Sequence, residues 1–391
     1  MTTNFDHIWQ RRGTDCLKWD FLDESLKADA EQVLASGVSD SDFAIYAPII
    51  DAVTKRLEHP ILGYSERSER YYQSAINWYQ KRHNLTLEKE WLHTTEGILP
   101  AVAMLVELTT QEQDAVVVQT PIYHGISRVV NNLDRTLVNN QLINDDGYYR
   151  IDFDLLEEQL SSGVKAMIFC NPHNPVGRLW TKDEVSRVVE LCHRYQVMLI
   201  SDEVWADYNL YGKSFNSCLA TNPDWHQQLA VCTSPTKTFG LTALRLANTI
   251  IKNQQLSEQL KRKLSAYGMD VFSCLSVQAS IAAFEQGEAW LDEMLSYLEA
   301  NMDCAADYLS THLPKIKFQK PEASYLVWLD CRELGLPQQQ LMEKLVQEQK
   351  LLVNSGENFG EAGQGFIRLN LSCPRSILEQ KLQRIVKAFA S

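Results

Sequence analysis

Four short apolar runs, each ended by polar or turn-forming residues, mark the middle of the chain, at 115–119, 166–170, 197–200 and 229–232. Each is too short for a helix and draws on Val, Ile, Leu and other buried types, the pattern of strands covered on both faces in a parallel sheet. Between them the period lengthens to that of a helix. The segment opening at Thr181-Lys182-Asp183-Glu184 carries Val185, Val188, Val189 and Cys192 on one face, and Thr181 with Glu184 forms a capping-box signature. Strands alternating with helices predict βαβ units and hence an open α/β sheet.

The rhythm changes in the last third. From about Glu285 a long amphipathic helix presents Leu291, Met294, Leu295, Leu298 and Met302, strand-like pieces follow at 324–329 and 365–371, and a final helix is predicted from about Arg375 to Ala390. The N-terminal 45 or so residues show no sheet-building rhythm and are expected to wrap onto this second unit. A chain of 391 residues exceeds what one core usually supports. The expectation is therefore a large domain over 46–284 and a smaller α+β domain built from 1–45 and 285–391.

Composition narrows the function classes. With 45% hydrophobic and 22% charged residues, collagen-like, mucin-like and wholly disordered chains are excluded, and no repeat or low-complexity tract is present. The net charge of −13 argues against the basic face that nucleic acid or anionic lipid requires, which leaves small-molecule chemistry in front. The opening Met1-Thr2-Thr3-Asn4-Phe5-Asp6 has no basic stretch leading into an apolar one, so no signal peptide is expected. No apolar run approaches the roughly 18 residues of a membrane span. The nine cysteines are odd in number, widely spaced and free of C-x-x-C, which reads as reduced structural cysteines of a cytoplasmic protein without a zinc framework.

Ligands of open α/β sheets bind beyond the carboxyl ends of the strands. The four runs lead into Thr120-Pro121-Ile122-Tyr123, Asn171-Pro172-His173-Asn174-Pro175-Val176-Gly177, Ser201-Asp202-Glu203 and Thr233-Ser234-Pro235-Thr236-Lys237. An aromatic ring, an amide, a carboxylate and an amine thus fall at one sheet edge. A pyridoxal ring needs a lysine to condense with, a carboxylate beside its ring nitrogen, a donor to its phenolate oxygen and a flat group against its face. Lys237, Asp202, Asn174 and Tyr123 supply one of each. For a phosphate, Gly97 and Ile98 open an apolar helix through Val102 and Leu105, whose first N–H groups would face an anion, while Ser234 and Arg245 could add a hydroxyl and a cation. Glu96 would repel that phosphate unless it turns to solvent. Singly, each residue has a plain turn or cap explanation, with His124 and His173 best read that way; the ordered set carries the functional reading.

These motifs resemble the fold-type I pyridoxal-phosphate enzymes of the class I/II aminotransferase superfamily, through N-P-H-N-P-V-G-R (171–178), S-D-E (201–203), S-P-T-K-T-F (234–239) and G-F-I-R-L-N-L-S-C-P-R (365–375). Within it the chain is most similar to the MalY/PatB group of cystathionine β-lyases, or C–S lyases, through R-R-G-T-D-C-L-K-W-D (11–20), D-S-D-F (40–43), L-G-Y-S (62–65) and A-S-Y-L-V-W-L-D (323–330). The resemblance implies a mostly parallel, seven-stranded type of sheet in the large domain and pyridoxal 5'-phosphate as cofactor. It implies Lys237 as the Schiff-base lysine, Asp202 as the pyridinium partner, Asn174 on the phenolate and Tyr123 stacked on the ring. Arg368 would hold the substrate α-carboxylate, and Tyr64 would reach the neighbouring subunit's cofactor in a homodimer. The implied reaction is β-elimination of L-cystathionine or a related cysteine S-conjugate to a thiol, pyruvate and ammonia. The chain departs from the group at Leu34-Ala35-Ser36-Gly37, at Trp205 and at Arg245, a position that aminotransferases of the superfamily fill with a phosphate-binding arginine. Transamination therefore stands as the alternative reaction, and a regulatory protein-binding role on the same fold as a third reading.

Overall fold

The computed structural model describes residues 3–389. Seven strands build its main sheet: β1 Leu92–Thr95, β2 Ala115–Val118, β3 Thr136–Asn139, β4 Ala166–Cys170, β5 Met198–Asp202, β6 Leu229–Thr233 and β7 Ala247–Ile251. Their spatial order is β1-β7-β6-β5-β4-β2-β3, and only β7 runs against the others. The expected mostly parallel sheet of seven strands is present. Alternate side chains divide between its faces: Val117, Met167, Phe169, Leu199 and Val231 join one core, and Val116, Val118, Ile168 and Ile200 join the other. Burial on both faces is why these strands read as continuous apolar runs. β1 and β7 escape that rule because they bury polar groups against partners. Thr94 of β1 and Asn248 of β7 meet at the Tyr71 hydroxyl, which donates to Asn248 Oδ1 at 2.6 Å.

Helices on the crossovers fix where each strand ends. Lys182–Arg194, between β4 and β5, starts at the predicted box: the Glu184 N–H donates to Thr181 Oγ1 at 3.2 Å, and the Thr181 N–H donates back to Glu184 Oε2 at 2.8 Å. A second sheet contains β8 Lys317–Phe318, β9 Leu326–Asp330, β10 Asn354–Ser355 and β11 Phe366–Asn370, antiparallel in the order β8-β9-β11-β10. The long helix Glu288–His312 and the last helix, Arg375–Phe389, belong to the same part of the chain. The predicted final residue of the latter, Ala390, lies outside the described residues.

The N-terminal segment makes more sheet contact than its sequence suggests. Leu34–Ala35 pairs in parallel with Leu351–Leu352, and the Ser36 hydroxyl donates to the Asn370 carbonyl at 3.0 Å. Just beyond, Arg11 and Lys18 donate to the two carboxylate oxygens of Asp42 at 2.6 and 2.7 Å, Trp19 Nε1 adds a third bond at 3.2 Å, and Arg11 also reaches Asp40 at 2.6 Å. Burial pushes the Asp42 carboxyl up, but Lys18, Lys381 and Arg11 outweigh it and hold it below its ordinary value. The Lys18 side chain is fully buried. Asp42→Ala would leave that cation with only the more distant Asp40, and is expected to cost about 3 kcal/mol of stability. The check is the denaturant midpoint, which should fall at unchanged slope.

Candidate active site

Strands β2, β4, β5 and β6 end on one edge of the main sheet, and a cavity of about 270 Å3 lies beyond it. Tyr123, Asn174, Asp202 and Lys237 line it from those strand ends, Gly97 and Ile98 from the start of a helix, and Arg245 from its rim. The residues singled out by type and spacing therefore converge, although they are drawn from positions 97 to 245.

Lys237 stands in the short helix Pro235–Thr238, whose cap is Ser234: its Oγ accepts the Thr236 N–H at 3.1 Å. Two contacts hold that turn. The Tyr208 hydroxyl donates to the Lys237 carbonyl at 2.9 Å, and the Thr238 hydroxyl donates to Asp207 at 2.7 Å. The Lys237 amine donates to the Ser39 carbonyl and, at 3.2 Å, to the Ser39 hydroxyl, with the Trp205 ring centroid 5.7 Å away. Burial disfavours the ammonium and lowers its pKa to about 8; Asp40 and Asp202 oppose this and Arg368 reinforces it. In the cofactor-free protein, acylation of Lys237 followed by peptide mass spectrometry is expected to reach half its plateau near pH 8 instead of the ordinary 10.5. A half-point at 10 or above would contradict the buried position.

Asp202 is the last residue of β5 and is buried. Its Oδ1 accepts the Val204 N–H at 3.2 Å, and it forms no ion pair among the described residues. Burial raises its pKa to about 6, against the pull of Val204 and Lys237. A buried carboxylate with acceptor capacity left at a cavity wall suits a cationic N–H donor.

Asn174 is oriented by an arginine from the other sheet. Arg368, in the middle of β11, donates from Nη1 to Asn174 Oδ1 at 3.0 Å and from Nη2 to the Gly37 carbonyl at 2.9 Å. Arginine can only donate, so the bond assigns the oxygen of the amide and leaves its NH2 for the cavity. Arg368 Nε is buried without a partner among the described residues, and burial lowers the guanidinium to about 10. An orphaned cationic donor behind the cavity wall fits an anionic ligand group. Tyr123 donates its backbone N–H to the Asn174 carbonyl at 3.1 Å, and its ring lies so close to Gly125 that a Cβ there would fall 2.4 Å from it. Burial pushes its phenol up.

At the other end, Gly97 has φ 109° and precedes the helix Ile98–Thr109, which no side chain caps among the described residues. The first-turn N–H groups are available to an anion. Arg245, at φ 42°, is exposed at the rim and makes no ion pair among the described residues. Glu96 is exposed but also borders the cavity, so its carboxylate would have to face solvent for a phosphate to bind here.

Three predicted residues do not line the cavity, Arg368 among them, since it stands behind Asn174. The Ser234 hydroxyl donates to the Leu246 carbonyl at 2.5 Å and lies against Thr236 Oγ1, contacts that brace the turn. Tyr64 is 99% exposed, away from its own chain's cavity. Conversely, Ser39, Trp205 and Thr236 line it. Ser39 carries no signal in the sequence, since it precedes Lys237 by almost 200 positions and belongs to no strand-end motif.

The family described as aminotransferase class I and II matches residues 39–385. The chain belongs to that family. Among its curated members, cystathionine beta-lyase PatB of Bacillus subtilis is 35% identical over 388 residues, covering 99% of this chain and 100% of that protein. Protein MalY of Escherichia coli is 31% identical, covering 98% of each. Among solved structures, the PLP-bound C–S lyase of Staphylococcus hominis superposes with a TM-score of 0.92 at 30% identity, over 100% of this chain and 99% of that one. That PLP-bound enzyme thus shares this fold over its whole length, which agrees with the resemblance seen in the motifs.

Proposed function

We propose that the protein is a pyridoxal-phosphate-dependent C–S β-lyase that converts L-cystathionine, or a related cysteine S-conjugate, and water to a thiol, pyruvate and ammonia. The observation that carries this is the meeting of Lys237, Asp202 and Asn174 in one cavity of a chain that matches a cystathionine β-lyase over its whole length. The cofactor, when bound, supplies an aldehyde for amines to condense with and a ring that draws electrons from Cα. Each need has a residue. Lys237, disfavoured as an ammonium, would bond the aldehyde and, once displaced by the substrate amine, take the Cα proton. Asp202 would keep the ring nitrogen protonated, and the Asn174 NH2 would donate to the phenolate oxygen. Tyr123 would cover the ring, the Gly97 and Ile98 N–H groups with Arg245 would hold the phosphate, and Arg368 would bind the substrate carboxylate.

The same reading gives Tyr64 a partner subunit to act on. Its neighbours Ile61 and Leu62 are 67% and 59% exposed, an apolar strip suited to a homodimer. It also divides the chain into a cofactor-holding domain over 46–284 and a smaller one from 1–45 and 285–391, and places it in the reducing cytoplasm, where nine unpaired cysteines are ordinary. Transamination is the second reading, favoured by the unpaired Arg245 at the phosphate end. Incubation with L-cystathionine decides: pyruvate and free thiol without any keto acid support the lyase, and product only with 2-oxoglutarate present overturns it.

A further inference from the structure

We infer that Ser39 is a positioning residue for Lys237: its carbonyl and hydroxyl form a dock that orients the ε-amine whenever that amine is not bonded to the cofactor. The inference rests on Lys237 being the reacting amine. Among the described residues Ser39 is the amine's only hydrogen-bond partner, through two atoms. A neutral amine has two N–H groups and one lone pair. Donating both hydrogens to one residue turns the lone pair away from it, and the Trp205 ring covers a further side at 5.7 Å. The lone pair is then directed into the cavity, where a base must point.

The dock is rigidly mounted. Asn370 Nδ2 donates to the carbonyls on either side, Val38 at 2.9 Å and Asp40 at 2.7 Å, and the Tyr325 hydroxyl donates to the Ser39 carbonyl itself at 3.0 Å. Lys18 holds the Asp40 carbonyl at 3.2 Å. Four bonds from both ends of the chain thus place residue 39. Any residue there would offer the carbonyl, but the second acceptor requires a hydroxyl.

The test compares full-length Ser39→Ala and Ser39→Thr with the wild type. In the holoenzyme, Ser39→Ala should lower kcat about three- to tenfold, the worth of one hydrogen bond, with KM changed by less than about twofold, and Ser39→Thr should restore kcat. In the cofactor-free protein, at a pH well above the amine's pKa, acetylation of Lys237 read by mass spectrometry should be slower in Ser39→Ala by about threefold and unchanged in Ser39→Thr. Unaltered kcat and labelling in Ser39→Ala, or a threonine variant as impaired as the alanine one, would overturn the assignment. The labelling needs neither cofactor nor substrate, so it judges Ser39 even if the lyase assay fails, while loss of the lyase reading leaves the labelling result standing.

Discussion

Lys237→Ala is expected to lower turnover about 10^3- to 10^4-fold, because it removes both the covalent attachment of the cofactor and the base that moves the Cα proton. The fold should survive. The Tyr208 bond goes to the Lys237 carbonyl and the Asp207 bond to Thr238, so neither needs the lysine side chain. Circular dichroism and the thermal midpoint should therefore stay close to wild type while the visible absorbance of the lysine-bound cofactor disappears. Turnover within about tenfold of wild type, less than a general base normally contributes, would remove Lys237 from the reaction.

Asp202→Asn is the second large effect, expected at about 10^2- to 10^3-fold in kcat, the size of one preorganised electrostatic contact. The replacement is nearly isosteric and its amide oxygen can keep the Val204 N–H, so the change is one of charge. Stability should move the other way. The folded pKa of about 6 lies above the ordinary 3.8. Between those values the folded chain keeps a proton that the unfolded chain has lost, so the wild type loses stability as pH rises from about 4 to 6. Asparagine does not titrate. The cofactor-free variant should thus be more stable than wild type at pH 7, by up to about 3 kcal/mol, with the slope between pH 4 and 6 reduced. Equal stability curves for the two proteins would contradict the buried, uncompensated carboxylate.

The opposite pKa shifts of Lys237 and Asp202 have one origin. Both lie at strand ends behind a narrow cavity, where lost hydration favours the neutral amine and the neutral acid alike. For Lys237 that is an advantage, since a neutral amine is the nucleophile and base. For Asp202 it is a cost that a cationic ring nitrogen would offset. A site with this pair is less stable empty than filled, so the cofactor should raise the thermal midpoint by mass action.

Much of the site was legible in the chain because β4, β5 and β6 are buried on both faces, and the polar residues that end them stand out against their apolar runs. The capping box at Thr181 was legible for the same local reason. β1 and β7 were not, since their buried Thr94 and Asn248 depend on a tyrosine from a distant helix. Ser234 has a contact that the order of residues does not show: its place three residues before Lys237 suggests a phosphate ligand, and in the fold its hydroxyl meets the Leu246 carbonyl.

The amino-acid order alone thus determined the strand rhythm, the sheet edge and the types of group that gather there, because periodicity and turn chemistry act over a few residues. Only the tertiary structure decided how those groups are tuned. Arg368 orients Asn174 across 194 positions, Ser39 docks Lys237 across 198, and burial sets the proton affinities of Lys237 and Asp202. Hydrogen-bond partners and hydration are properties of the packed space around an atom, and neighbours in space are not neighbours in sequence.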